Sequence, residues 1–291
     1  MPPEIRTVQD LLGHLGRHPA DPAAHCLLGD VYAQSGKWVA AAAQYRTALA
    51  LGASTPGLPD RLATAAKAIA AQPVEAIGHN VHFRIQWLAR HVRELFPTGG
   101  FSLLDAGGGD GRLATLLPDA EYVLAEPDTN GVFVTPELSF GRKFDGVVCC
   151  HVLEHIPIDL RDGFLDVLCG MANDYVLLLN PVVDSHTDLK AWQQLIFDVT
   201  GAKWAKEHID CVFPKLEEIT SFAERRGYRY RVRPNGSKAL SLAIVFMDHF
   251  SRAGKPGEAA KINRMFNSLP LDSLDNAEWP NAYLIEIAVK K

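Results

Sequence analysis

The chain has 291 residues, of which 47% are hydrophobic and 22% charged, a composition typical of a globular protein with one large domain or two smaller ones. It carries 29 Lys and Arg against 34 Asp and Glu, and the formal net charge of −5 argues against a protein that binds nucleic acid mainly by electrostatic attraction. No apolar run approaches the roughly 18 residues of a membrane span. The first ten residues lack the apolar segment of a signal peptide, and we therefore expect a cytoplasmic protein.

The cysteine pattern predicts neither a disulfide framework nor a metal site. The count is odd, no CxxC occurs, and no Cys/His cluster has zinc spacing. The five positions are Cys26, Cys149, Cys150, Cys169 and Cys211.

Residues 1–75 are rich in Ala and Leu and predict a helical region. Within them, residues 22–55 fit a 34-residue helix-turn-helix repeat, with further helices expected at about 5–18 and 59–72. The signature positions are occupied by Leu28, Gly29, Tyr32, Gly36, Ala41, Tyr45 and Ala48. This pattern resembles a tetratricopeptide repeat, although His25 and Ala53 stand at the usual Trp and Pro positions. A single repeat cannot bury its apolar faces alone. It is expected to pack on the rest of the chain, on a second copy or on a protein partner.

Residues 76–291 predict a second domain of α/β class, because short apolar runs alternate with helical segments. Phe101–Asp105 reads as a buried strand that runs into a glycine-rich turn at 106–111 and then a short helical segment. A nicotinamide or flavin fingerprint would need glycine where Arg112 stands, and the Lys-Ser/Thr pair of a P-loop is missing. The turn instead reads D-x-G-x-G-x-G.

Two further pieces follow the glycine-rich turn. A second strand, Tyr122–Glu126, ends in a carboxylate that can accept hydrogen bonds from both hydroxyls of an adenosine ribose. The third piece is the run FDGVVCCHVLEHIP at 144–157, in which a strand, Val147–Cys150, opens into a short helix-like turn.

In this order and spacing, the three pieces resemble the class I S-adenosylmethionine-dependent methyltransferases, above all their small-molecule and glycan branch. The EH…P..L region at 207–228 is similar to the same branch. The resemblance implies S-adenosyl-L-methionine as cofactor. It also implies a Rossmann-like sheet of seven strands in the order 3-2-1-4-5-7-6, preceded here by the all-α helical-repeat region.

The resemblance also implies roles for particular residues. The methionine part of the cofactor would be lined by Asp105, Gly107, Gly109 and Gly111. Glu126 would hold the ribose, Pro127 would lie beside the adenine, and Cys150 and His151 would lie near the sulfonium. The helix before the first strand carries His79, His82 and Arg84 and can close over the cofactor carboxylate.

The chain departs from the family pattern after the second strand. Phe144 follows Glu126 by only 18 positions, too few for a full helix and a third strand. We expect a reduced third strand at Gly131–Thr135, and no acid can be assigned beside the adenine.

Methyl transfer to a hydroxyl needs a group that removes the proton, most often His or a carboxylate. Candidates at the carboxyl ends of the strands are His151, Glu154, His155, Asn180 and His186, and a later loop could bring His208. We take His151, His155 and His208 as the catalytic candidates. Glu154 and His155 belong to a motif found with many substrates and could equally serve the fold or the cofactor.

The sequence therefore predicts a methyltransferase that O-methylates a small molecule or a sugar of a cell-surface polysaccharide, with N-methylation still open. Asn180-Pro181-Val182-Val183 lacks the aromatic residue of the adenine-methylating nucleic-acid enzymes and follows the fifth strand rather than the fourth. One alternative is a weak or inactive methyltransferase-like scaffold. Another is a protein or nucleic-acid methyltransferase that recruits its substrate through the helical repeat. A long insertion before the last strand would cover the substrate pocket or form a dimer interface.

Overall fold

A computed structural model describes residues 7–183, 189–275 and 278–290 of the chain. Four helices lie in the N-terminal region: α1 (Val8–Arg17), α2 (Pro22–Gln34), α3 (Trp38–Ala50) and α4 (Leu58–Ala70). Asp21 caps α2 by accepting hydrogen bonds from the amides of Ala23 and Ala24. The predicted helix-turn-helix is present as α2 and α3, which pack closely because Gly29 leaves room for the ring of Tyr45. Its membership of the tetratricopeptide family stays a prediction.

Helices and strands alternate through the rest of the chain. The strands are β1 (Ser102–Ala106), β2 (Glu121–Ala125), β3 (Phe144–Cys150), β4 (Ala172–Asn180), β5 (Arg229–Asn235) and β6 (Ala282–Ala288). The helices are α5 (His79–Leu95), α6 (Leu113–Leu116), α7 (Pro127–Asn130), α8 (Arg161–Met171), α9 (Leu189–Thr200), α10 (Lys203–Asp210), α11 (Leu216–Arg225), α12 (Lys238–Gly254) and α13 (Pro256–Asn267).

The strands form one mixed sheet in the order β2-β1-β3-β4-β6-β5. β2, β1, β3 and β4 run parallel to one another, whereas β6 is antiparallel to both β4 and β5. Leu103, Leu104 and Val147 are fully buried, as expected of strands covered on both faces. The predicted α/β class is confirmed.

The predicted seventh strand is missing from the described residues. Gly131–Thr135, expected to form a reduced third strand, has no regular structure, and the sheet contains six strands. A parallel crossover normally takes a dozen or more residues, and α7 is a single turn that ends at Gly131 in a left-handed conformation. The chain therefore returns to the sheet at Phe144 without forming a strand beside β2.

Helix α3 lies where the missing strand would have been. The Leu124 amide of β2 donates to Thr47 Oγ1 over 3.1 Å, so a helix side chain satisfies an amide at the outer edge of the sheet. Arg46 of α3 donates to three backbone carbonyls within α6 and after it, namely those of Ala114, Leu117 and Ala120.

The helical region and the sheet also share one apolar core, in which Leu15 and Leu28 belong to the same buried cluster as Val123 and Ala125. The sequence left open whether the helical region packs on the rest of the chain, on a second copy or on a protein partner. The structure shows it packed on the rest of the chain. The division at residues 75 and 76 stays a prediction.

The insertion before the last strand forms a helical hairpin, α12 and α13. Residues of α12, including Leu240, Ile244 and Asp248, line a large cavity beside the sheet. Asn263 and Asn267 of α13 hold the start of α5 by hydrogen bonds to the backbone amide and to the ring of His79. The insertion therefore covers a pocket, one of its two expected roles. Among the described residues, no helix is both long and apolar enough to cross a membrane.

Candidate functional site

The glycine-rich turn joins β1 to α6 at the carboxyl edge of the parallel strands. Gly107 has a φ of +77°, and its amide donates to Ala125 O at the end of β2 over 2.8 Å. A Cβ at Gly107 would lie 2.3 Å from Val152 Cγ2, so only glycine fits there without a shift. Gly109 has a φ of +58° and faces open space, because a Cβ built on it meets nothing within 4 Å. The turn therefore presents bare backbone at Gly109.

Glu126 lies directly opposite this backbone. The Gly109 amide donates to Glu126 Oε2 over 2.9 Å, and the Asp128 amide donates to Oε1 over 3.2 Å. Burial raises the pKa of Glu126, opposed by these two backbone hydrogen bonds. Each carboxylate oxygen can accept more than one hydrogen bond. Both oxygens therefore keep capacity for the hydroxyls of a ligand, and Pro127 begins the short helix beside them.

Asp105 is buried at the end of β1 and is only 2% exposed. Its carboxyl accepts a hydrogen bond from the hydroxyl of Tyr122 over 2.6 Å, and a Cβ at Gly108 would lie 2.3 Å from Asp105 Oδ2. Burial raises the pKa of Asp105 to about 7; the Tyr122 hydrogen bond opposes that shift, and nearby carboxylates add to it. In this structure the carboxyl joins the end of β1 to β2 and lies against the turn at Gly108.

Gly111 contacts the helical region. A Cβ at Gly111 would lie 2.3 Å from Ala43 Cβ of α3, and the φ of this glycine is +77°. The role expected for Gly111 along the methionine part of a cofactor stays a prediction. Its structural role is to allow α3 to approach the turn.

Cys150 and His151 lie at the end of β3, the next strand along this edge. Burial raises the pKa of the Cys150 thiol to about 12. His151 has a φ of +56° and is the one non-glycine residue with positive φ in the described part of the chain. Its amide donates to Leu179 O over 2.8 Å, so β4 fixes this unusual backbone. Burial lowers the pKa of His151 well below its usual value, helped by the nearby charge of Arg84.

The structure brings the three catalytic candidates together. The rings of His155 and His208 are 5.3 Å apart between centroids, with His208 supplied by α10. His151 Nδ1 lies 3.6 Å from Glu154 Oε1. Glu154 and Asn180, the other two candidates in the described residues, are buried and joined by a hydrogen bond from Asn180 Nδ2 to Glu154 Oε2. His186 lies outside the described residues.

A cavity of about 620 Å³ opens beside His151, a volume in the range of small-molecule sites. Its lining includes Arg84, His151, Trp192, Trp204, His208 and Lys238. Of these, Trp192 and Trp204 were not identified from the sequence. Trp192, Trp204 and Lys238 lie on α9, α10 and α12, and no local spacing indicates that these helices meet. The cavity combines aromatic walls with cationic side chains.

The residues at the strand ends fit a nucleoside with an amino-acid tail. Bare backbone at Gly109 and the acceptor oxygens of Glu126 suit hydroxyl groups, while Arg84 suits a carboxylate. The Nε atom of Arg84 is buried and has no hydrogen-bond partner among the described residues. S-Adenosylmethionine carries both ribose hydroxyls and a carboxylate, and bound there it would supply an activated methyl group.

No family model matches the sequence, and no curated protein matches it. Several solved methyltransferases are similar in structure. The plantazolicin methyltransferase BpumL, in complex with S-adenosylhomocysteine, is 9% identical, with a TM-score of 0.45 over 91% of this chain and 100% of that one. Magnesium protoporphyrin IX methyltransferase from Synechocystis PCC 6803, with S-adenosylhomocysteine bound, is 13% identical, with a TM-score of 0.43 over 70% of this chain and 81% of that one. An S-adenosylmethionine-dependent methyltransferase from Archaeoglobus fulgidus is 14% identical, with a TM-score of 0.39 over 70% of this chain and 94% of that one.

Proposed function

We propose that the chain is an S-adenosylmethionine-dependent methyltransferase that transfers the methyl group to a small acceptor, with a hydroxyl as the preferred nucleophile. The observation that carries the proposal is the arrangement along one sheet edge. The bare backbone of Gly109 faces Glu126, and His151 stands at the next strand end at the mouth of the cavity. In an open α/β sheet, ligands bind beyond the carboxyl ends of the strands.

In this proposal the cofactor lies across the glycine-rich turn. Glu126 accepts hydrogen bonds from the ribose hydroxyls, Pro127 lies beside the adenine, and Arg84 pairs with the carboxylate. The sulfonium points past Cys150 toward the cavity. The donor is already activated, so the protein mainly aligns donor and acceptor.

The acceptor occupies the cavity next to His151. A volume of about 620 Å³ suits a small molecule or one sugar unit of a polysaccharide better than a folded protein. The backbone of His151 is held in a left-handed conformation, which fixes where its side chain begins. The imidazole of His151 is the first candidate for accepting the hydroxyl proton. His155 and His208 are the second candidates.

Calorimetric titration with S-adenosylhomocysteine tests the cofactor site, with NAD as a ligand control. We expect saturable binding of S-adenosylhomocysteine alone. Glu126→Gln should weaken it at least about tenfold, because a neutral amide accepts hydrogen bonds less strongly than a carboxylate. Glu121→Gln is the matched control, since Glu121 lies at the opposite, exposed end of β2 and pairs with Arg142. Absence of binding would favour the scaffold alternative.

Transfer of a labelled methyl group tests the acceptor class. Label in extractable small molecules supports the proposal, whereas label in protein supports recruitment through the helical region. Once an acceptor is found, His151→Asn should lower kcat by about 10²–10⁴-fold, with the affinity for S-adenosylhomocysteine unchanged. Asn tolerates the left-handed backbone, so this variant isolates the imidazole. His18→Asn, at an exposed histidine directly after α1, is the matched control. A cytoplasmic location and a partner surface on the helical region stay predictions.

A further inference from the structure

Two neighbouring residues and one distant residue of the sequence converge next to the cavity. Glu154, His155 and His208 each offer one ligand atom, and these atoms all lie within 4.8 Å of one another. Two ligands about 2.1 Å from a shared ion are at most about 4.2 Å apart. The three ligand atoms therefore exceed that limit by at most about 0.6 Å.

Two atoms of the cluster lack hydrogen-bond partners among the described residues. Glu154 Oε1 is buried and accepts no hydrogen bond, while the Glu154 residue as a whole is only 2% exposed. His208 Nδ1 is also buried and unpartnered. A buried polar atom without a partner costs about 1–3 kcal/mol. Two such atoms, one on each of two residues of the cluster, indicate that the cluster holds a ligand.

The surroundings orient these groups. Asn180, which is fully buried at the end of β4, donates to Glu154 Oε2 and so fixes the carboxylate with Oε1 3.6 Å from His151 Nδ1. The rings of Trp204 and Phe213 contact that of His208 edge-on, with centroid distances of 5.8 Å. A hydrogen-bonded partner such as Asn180, which fixes a ligating carboxylate, is characteristic of metal sites.

The donor types select the class of ion. Two imidazoles and one carboxylate suit zinc, cobalt, iron or manganese, whereas calcium and magnesium prefer sites made of oxygen ligands. Further donors are close, since His151 Nδ1 lies 3.6 Å from Glu154 Oε1 and Cys211 Sγ lies 3.6 Å from His155 Nδ1. Sulfur and nitrogen donors at the rim add to the preference for zinc.

We propose that Glu154, His155 and His208 bind one divalent transition-metal ion of the zinc class. The sequence analysis predicted no metal site, because Glu154 and His155 are adjacent whereas His208 comes from α10. Three protein ligands leave a position open for an oxygen ligand. His208 lines the cavity, so that oxygen could belong to the acceptor; this role rests on the proposed function, whereas the metal site itself does not.

The test uses the full chain without a histidine tag, stripped of metal and titrated with Zn²⁺ and with Co²⁺. We expect one equivalent to bind and Co²⁺ to develop visible absorption bands. Glu154→Gln should lower the Zn²⁺ affinity more than tenfold, since even partners of ligands contribute roughly 10–100-fold. His155→Asn gives the same test at an exposed position that the fold does not depend on.

His18→Asn, at an exposed histidine directly after α1, is the matched control and should bind Zn²⁺ like the unaltered chain. The proposal is overturned if no stoichiometric Zn²⁺ binds, if Mg²⁺ binds more tightly, or if Glu154→Gln and His155→Asn both bind as the unaltered chain does. S-Adenosylhomocysteine is titrated separately into the metal-free chain. Failure of that titration counts against the proposed function, whereas failure of the Zn²⁺ titration counts against the metal site.

Discussion

Two glycines of the same turn should respond very differently to alanine. Gly109 and Gly111 both have positive φ, +58° and +77°. A Cβ at Gly109 meets nothing within 4 Å, whereas a Cβ at Gly111 would lie 2.3 Å from Ala43 Cβ. Gly109→Ala therefore changes the surface offered to a cofactor, and Gly111→Ala forces α3 away from the turn.

The free energies of unfolding should separate the two variants. The left-handed conformation costs an alanine about 1–2 kcal/mol at either position. Overpacking against Ala43 adds about 1–3 kcal/mol at Gly111 only. We expect Gly109→Ala to lose about 1–2 kcal/mol and Gly111→Ala about 2–5 kcal/mol, a large share of the stability of a typical domain.

Urea unfolding at constant pH measures both losses, and titration with S-adenosylhomocysteine measures binding. Gly109→Ala should lose affinity while staying folded. The double variant Gly111→Ala/Ala43→Gly should be more stable than the sum of the two single changes by about 1 kcal/mol or more, because the clash is removed. Equal losses at Gly109 and Gly111, or strictly additive changes in the double variant, would refute the packing of α3 against the turn.

Three further predictions concern the same region. Asp105→Asn should be increasingly more stable than the unaltered chain as the pH rises. The pKa of about 7 exceeds the usual 3.8, so the stability contributed by the protonated carboxyl is complete below pH 3.8 and is lost as the pH passes 7. The difference in free energy of unfolding between Asp105→Asn and the unaltered chain should grow by about 2–3 kcal/mol from pH 5 to pH 8, measured by urea unfolding. A difference that does not change with pH would contradict the burial of the charge. In the same assay, Arg46→Met should lower the free energy of unfolding by about 1–3 kcal/mol, because the carbonyls of Ala114, Leu117 and Ala120 lose their hydrogen-bond donor. An unchanged free energy of unfolding would argue against this contact. Removal of residues 1–75 should yield a chain that aggregates and gives no cooperative thermal transition, because the apolar side chains of β2 that pack on the helical region are then exposed. A monomeric remainder that folds cooperatively would show that the helical region is dispensable.

Much of the α/β part was predictable because its signals are local. An apolar run followed directly by closely spaced glycines predicts a buried strand that ends in a tight turn. The structure places β1, β2 and β3 within a few residues of the predicted strands, with Glu126 and His151 directly after β2 and β3. Likewise the helix-turn-helix spacing predicted α2 and α3, since close packing of a pair needs a small residue such as Gly29.

The edge of the sheet could not be predicted in this way. The short interval before Phe144 indicated a reduced third strand but not what would replace it. The replacement, α3, lies far earlier in the chain, and its Thr47 satisfies a β2 amide through a side chain. Nothing in the local pattern of α3 distinguishes a helix that packs on a sheet edge from one that binds a partner.

The sequence by itself determined which elements form and which side chains stand at the strand ends, because strand periodicity and glycine conformation act over a few residues. Only the tertiary structure decided what those side chains face. Helices α9, α10 and α12 close the cavity over His151, and α10 brings His208 to Glu154 and His155. Contacts between side chains that are distant in the sequence depend on how the apolar faces of all the helices and strands pack together. No single segment of the sequence specifies that packing.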